Sequence, residues 1–219
     1  MDLTPARRAR IEQSLNARLG SVVAVCEALR RRHNVSAILR SCEAFGIHEV
    51  HLITGRADGG GFAPSPSAAR GAERWVERRV FPDVAASAAE LRARGFRLLI
   101  ADWQEDAYTP ETVPVDQPVA VLFGSELRGV SADARAVADG VVAVPMRGLT
   151  TSLNVSVSAA LILRGVAERR RAYAGADLDT ERQAAFFASW LAAEEAERLG
   201  RRARTDPAEE AELDGEGGG

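Results

Sequence analysis

The chain has 219 residues, two cysteines and a formal net charge of −3. That length suits one α/β domain with helical extensions, no run of 18 apolar residues is present to span a membrane, and the polar start MDLTPARRAR argues against a secretory signal. Cys26 and Cys42 form no CxxC and have no histidine cluster beside them, which argues against a zinc site or a disulfide framework and suits a reducing cytoplasm.

Charge is spread unevenly. Residues 205–219 hold six acids and no base, so the rest of the chain carries about +3. The first 32 residues hold seven arginines, Arg8 and Arg10 among them, against three acids. Local basicity of this kind permits contact with RNA without requiring it.

In chain order, residues 5–32 read as one or two short helices, with Ile11, Leu15 and Leu19 at helical spacing and Gly20 as a break. Residues 34–46 read as a helix capped by Asn34 and ended by Gly46. Val35, Ile38, Leu39, Cys42 and Phe45 form its apolar stripe, and Arg40 faces away from it. Short apolar runs at 50–53, 98–101, 119–123 and 141–144 are long enough only for strands. Helical stretches are expected at 69–79, 83–94 and 132–138, and a mobile loop is marked by Gly59 to Gly61, Pro64 and Pro66. Alternating strands and helices imply a parallel sheet covered on both faces. Residues 153–166 are apolar or small nearly all round and predict a buried helix. Residues 180–199 predict a last helix with Phe186, Phe187, Trp190 and Leu191 on one side, and the acidic tail beyond Gly200 reads as disordered.

No GxGxxG turn follows any candidate strand, and no P-loop, HExxH or serine–histidine–aspartate arrangement is present. Three polar clusters remain, at strand-to-helix junctions where open α/β proteins bind ligands. HNVSAILR (33–40) could be no more than a capped amphipathic helix. VLFGSELRGVS (121–131) could be a plain turn that sets a carboxylate at the start of a helix. VPMRGLTTSLNVSVSAALIL (144–163) opens a buried helix with both Ser152 and Asn154, where a cap needs only one of them.

In order and together, these clusters resemble the SPOUT superfamily, specifically its branch of RNA ribose 2′-O-methyltransferases, the TrmH-like family. The first motif is Asn followed six residues on by Arg, here Asn34 and Arg40. The second is FG-x-E-x-x-G, here Phe123, Gly124, Glu126 and Gly129. The third is P-M followed by SLNVS, here Pro145, Met146 and residues 152–156. The resemblance runs from about residue 7 to residue 190.

It implies an α/β parallel sheet flanked by helices and closed by a deep C-terminal trefoil knot. The knotted domain would span 33–173, between a basic N-terminal arm (1–32) and a C-terminal helical extension (174–200), with the tail at 201–219. It implies S-adenosylmethionine as methyl donor and no metal, with Gly124, Val144 and Leu153 contacting the cofactor and Ala101 and Met146 nearby. Arg40 is the implied catalytic residue. The family assigns it a part in removing the 2′-hydroxyl proton; because arginine stays protonated, the alternative is that it positions a substrate phosphate while the phosphate or a water takes the proton. Asn34 would orient Arg40, and Glu126, Ser152 and Asn154 would complete the polar shell. Arg8, Arg10, Arg74 and Arg170 are the expected RNA contacts, Arg74 as part of a loose match with Trp75 and Val76. A homodimer is implied, each site completed by the other subunit, with RNA and not DNA as partner because only RNA carries the acceptor hydroxyl. With about 33 residues before Asn34 and short helical ends, the chain looks like the tRNA branch, which methylates guanosine 18 in the D-loop. Ribosomal RNA, another tRNA site, or a catalytically silent RNA-binding protein of the same fold are the alternatives.

Overall fold

The computed structural model describes residues 4–29, 31–55 and 71–205, with side chains as far as residue 196. In chain order the elements are α1 (Pro5–Asn16), β1 (Leu19–Glu27), α2 (Arg32–Phe45), β2 (Ile47–Ile53), a 3-10 turn (Ala72–Arg74), β3 (Glu77–Phe81), α3 (Val84–Ala93), β4 (Arg97–Ala101), β5 (Val119–Phe123), α4 (Ala132–Val137), β6 (Gly140–Val142), α5 (Val155–Ala174) and α6 (Thr180–Thr205). The unit Asn16–Asp179 is built on one parallel sheet in the order β3-β2-β1-β5-β4-β6.

Both faces of the central strands are buried. Val22, Ala24 and Cys26 of β1, with Val119, Val121 and Phe123 of β5, pack against Ile38 and Leu39 of α2 and Ile162 and Leu163 of α5. Val23, Val25, Ala120 and Leu122 point the other way, onto Leu91 of α3 and Ala134 of α4. The strand period of two therefore divides one continuous apolar run between two layers, each buried Val, Leu or Ile contributing about 1.5–3 kcal/mol. Both cysteines lie in the core; burial pushes the Cys26 thiol up to about 12 and raises that of Cys42 as well.

This layering decides where a ligand can bind. β1 and β5 are neighbours, paired from Val22↔Val119 to Cys26↔Phe123. Yet the chain leaves β1 for the α2 layer and β5 for the α4 layer. Loops that diverge from adjacent parallel strands leave a crevice at their carboxyl ends.

Several expectations are corrected. Leu19 does not continue the first helix: α1 stops at Asn16 and Leu19 opens β1, one of the two central strands of the sheet. The run VVAVC (22–26) has no polar residue to reveal its period, so a buried strand and a buried helix look alike there. The stretch 1–32 expected as a helical arm thus includes strand β1 of the sheet. Of the expected helix 69–79, residues 69 and 70 lie outside the described residues, and the rest is a single 3-10 turn followed by edge strand β3. The expected loop at Gly59 to Gly61, Pro64 and Pro66 and the tail from 206 also lie outside them. Asn34 is not a cap but a first-turn residue; α2 begins at Arg32, with Arg31 at the cap position and no side-chain cap. The other end is as expected, with Gly46 left-handed (φ 74°) and its N–H on the carbonyls of Cys42 and Glu43.

β2 starts earlier than its apolar run because polar residues are buried in it. Glu49 accepts both guanidinium N–H groups of Arg94 (2.7 and 3.0 Å) and sits 2.7 Å from His51 Nε2, while His51 Nδ1 meets Ser87 Oγ at 2.8 Å. Glu49, His51 and Glu90 are close enough to hold a metal ion, but Arg79 and Arg94 already engage both carboxylates. The group reads as an ion cluster fastening α3 to the sheet.

The β4–β5 connection, residues 102–118, forms a strap over α5. Tyr108 bridges to Val142 in β6, Pro110 lies against Gly165, and Arg169 Nε and Arg170 Nη1 donate to the carbonyls of Val113 (3.0 Å) and Val115 (2.8 Å). A Cβ on Gly165 would lie 2.5 Å from Pro110 Cβ, so only glycine permits this crossing. Just past α5, Asp177 accepts N–H bonds from Gly20 (2.8 Å) and Ser21 (3.1 Å) and a bond from the Ser21 hydroxyl, and Arg170 joins through Ser21 Oγ (2.8 Å) and Asp177 Oδ2 (3.4 Å). Charge-assisted bonds of this kind contribute about 1.5–3 kcal/mol. Asp177→Ala is accordingly expected to lower the melting temperature by about 3–12 °C, at 2–4 °C per kcal/mol for a domain of this size. A melt within about 1 °C of wild type would show that the clasp contributes nothing.

A second unit is drawn from the two ends of the chain, where Arg7 of α1 pairs with Glu194 of α6 and Arg8 lies 5.0 Å above the Phe187 ring. Among the described residues no helix is long and apolar enough to cross a membrane.

Candidate active site

A cavity of about 520 Å³ opens at the carboxyl ends of β4, β5 and β6, bounded by the start of α2 and the entrance to α5. Ala101, Gly124, Val144, Met146 and Leu153, the five residues expected around a cofactor, all line it. So do Asn34, Glu126, Ser152 and Asn154.

Three of these polar side chains are bonded in series. Asn154 Nδ2 donates to Asn34 Oδ1 at 3.3 Å, and Asn34 Nδ2 donates to Glu126 Oε1 at 2.7 Å. Asn154 also caps α5, its Oδ1 accepting the N–H of Ser156 (2.8 Å) and the Ser156 hydroxyl (2.6 Å). With Oδ1 occupied by the cap, the Asn154 amide is turned toward Asn34. Asn34 is 3 % exposed, so its two bonds fix one orientation of a side chain that burial would otherwise penalise. Ser152 stands exposed on the rim beside them.

The glycines of the second motif have separate physical reasons. Gly124 follows β5 where the chain folds back on itself: Gly129 N–H donates to Ser125 O at 2.8 Å, and a Cβ on Gly124 would lie 2.3 Å from Gly129 O. Gly129 instead needs its backbone freedom, at φ 66°. The loop between them carries Glu126 to Asn34. On the other side of the crevice Ala28, at φ 50°, turns the chain out of β1 toward α2.

Arg40 is exposed on α2 and does not line the cavity. Six residues separate it from Asn34, which on a helix is about 9 Å of rise and two-thirds of a turn of rotation. Of the expected RNA contacts, Arg8 and Arg10 are exposed on α1 and Arg74 on the 3-10 turn. Arg170 is 8 % exposed, and its guanidinium bonds to Ser21, Val115 and Asp177 within the fold. A charged residue late on a buried helix has to be satisfied internally, which argues for a clasp over a surface contact.

The cavity also takes in Arg31, Asp102 and Trp103, which motif matching passed over. Their signal was positional: each follows the carboxyl end of a strand.

Residues 21–164 match the model of the SpoU rRNA Methylase family, a span that holds all three motifs. The chain belongs to that family. Among SpoU relatives, the tRNA (guanosine(18)-2′-O)-methyltransferase of Thermus thermophilus is 41 % identical over 192 residues, 86 % of this chain and 97 % of the relative. The enzyme of the same name from Escherichia coli is 35 % identical, over 79 % of this chain and 74 % of its own length. Among solved SpoU structures, the A. aeolicus TrmH/SpoU tRNA modifying enzyme superposes with a TM-score of 0.76 at 26 % identity, covering 86 % of this chain and 96 % of that one.

Proposed function

We propose that this protein transfers the methyl group of S-adenosylmethionine to a ribose 2′-hydroxyl of RNA, and that its target is guanosine 18 in the tRNA D-loop. The observation that carries the reading is the bonded series Asn154–Asn34–Glu126, in which three motifs distant in sequence converge at one cavity. The name and near full-length match of the Thermus thermophilus relative support tRNA as the substrate.

The residues fit the cofactor. Ala101, Val142, Val144 and Leu153 offer apolar surface to a purine, and the volume falls in the ~300–1,000 Å³ range of small-molecule sites. Asp102 and Glu126 are the carboxylates of the lining and suit a cationic ligand. S-adenosylmethionine supplies a methyl group already activated by its sulfonium. The chain's own task is to orient a weakly nucleophilic hydroxyl and to assist loss of its proton. Asn34, held from both sides, keeps the first turn of α2 in place. Arg40 holds a phosphate beside the acceptor ribose, and that phosphate or a water takes the proton. The reading needs no metal.

The reading extends to a homodimer. Leu153, Val157 and Leu161 stand exposed at successive i, i+4 positions entering and along α5, an apolar face that a second copy would cover. Arg40, outside its own cavity, is then available to complete the partner's site. The reading also extends to the trefoil knot, with the chain from β6 into α5 threaded beneath the 102–118 strap. The Pro110–Gly165 crossing supports it. Such an enzyme works with the tRNA of the cytoplasm.

Labelled S-adenosylmethionine with an unmodified tRNA transcript, beside a transcript carrying 2′-deoxyguanosine at position 18, tests the reading. Label is expected on the first and not on the second. Equal labelling moves the target elsewhere. No labelling of either, with cofactor still bound, turns the assignment to ribosomal RNA or to a silent RNA-binding protein.

A further inference from the structure

Trp103 is 75 % exposed on the rim of the cavity, directly after Ala101 and Asp102 at the end of β4. Its backbone is pinned. Asp102 N–H donates to Val142 O at 3.2 Å, and the Asp102 carboxylate accepts the Trp103 N–H at 2.8 Å and pairs with Arg135. A fixed backbone thus holds a large apolar ring in water, forgoing the burial that folding alone favours.

The surrounding charge restricts what the ring can take. Glu105 and Asp106 follow it, both exposed, so this side of the mouth repels phosphate. Arg31, exposed on the rim, follows β1, and in the sheet β1 and β4 flank β5 on opposite sides. A nucleotide entering between them meets a neutral aromatic face on one side and a cation on the other.

We propose that Trp103 is the platform on which an unpaired nucleobase of the RNA substrate stacks, its phosphate turned toward Arg31. The inference rests on the methyltransferase reading above. Every base has a π-face, so the platform selects for unstacked loop nucleotides and contributes to RNA affinity without touching the methyl donor.

The test uses the full chain, unmodified tRNA transcript and S-adenosylmethionine, comparing wild type with Trp103→Ala and Trp103→Phe. Trp103→Ala is expected to raise KM for tRNA about ten- to a hundredfold, with KM for S-adenosylmethionine and the sedimentation of the protein unchanged. Trp103→Phe, which keeps an aromatic face, is expected to stay within about fivefold of wild type. Addition of tRNA should quench tryptophan fluorescence in the wild type, and the quench should disappear in Trp103→Ala although Trp75 and Trp190 remain. An unchanged KM for tRNA overturns the platform. So does a raised KM for S-adenosylmethionine, which makes the ring a cofactor contact, or a changed association state, which makes it a subunit contact. A wild type that transfers no methyl to tRNA brings down the methyltransferase reading itself, before any variant is compared.

Discussion

Gly124→Ala is expected to lower methyl transfer by at least about a hundredfold. The added Cβ would lie 2.3 Å from the carbonyl oxygen of Gly129, 2.4 Å from its carbon and 2.5 Å from the Val130 nitrogen. All three are backbone atoms, so no side chain can swing aside; the loop 124–130 has to move, and Glu126 moves with it away from Asn34. Overpacking of this kind costs about 1–3 kcal/mol, which at 2–4 °C per kcal/mol predicts a melting temperature lower by about 2–12 °C. Gly129→Asn is the control. That position needs a positive φ, which asparagine adopts more readily than most residues, and a Cβ there meets nothing within 4 Å. Melts and single-turnover methyl transfer on the two variants separate the cases. A Gly124→Ala enzyme within tenfold of wild type would mean that the loop does not set the site's geometry.

Arg40→Ala is the second large effect. Turnover is expected to fall by roughly a hundredfold to ten-thousandfold, the usual range when a group that assists proton transfer is removed. Affinity for S-adenosylmethionine should stay within about twofold, because Arg40 does not line the cavity, and stability within about 0.5 kcal/mol, because the side chain is exposed. Equilibrium binding of the cofactor and single-turnover kinetics read the two quantities separately. Loss of cofactor binding in step with turnover would move Arg40 out of the catalytic role, and retained turnover would refute that role altogether.

The candidate site was legible through the resemblance that the three motifs carry together, and several of its parts also obey local rules. Asn154 caps a helix, Gly129 needs a left-handed backbone, and an FG-x-E-x-x-G spacing is the local trace of a chain that folds back on itself after a strand. Arg40 could be placed on the solvent side of α2 from helical period alone. Elements whose identity depends on distant partners were misread. β1 looked helical because nothing in VVAVC marks which side chain faces which layer. β2 was begun late because His48 and Glu49 look unsuited to a strand interior until Arg94, 45 residues away, reaches Glu49. Arg170 was expected from the resemblance to approach RNA, and only the structure shows the strap and Asp177 around its guanidinium.

The sequence by itself determined the α/β class, the Gly46 end of α2, the places of the three motifs and the apolar runs that became β4 and β5, since each is marked by residues within a few turns of chain. Only the tertiary structure decided that the chain leaves adjacent β1 and β5 for opposite faces of the sheet, opening the crevice. Only it brought Asn34, Glu126 and Asn154 into one bonded series and set Trp103 and Arg31 on the same rim. Those outcomes depend on which strands pair, and strand pairing between segments about a hundred residues apart is decided by burial of the whole core, which no local pattern records.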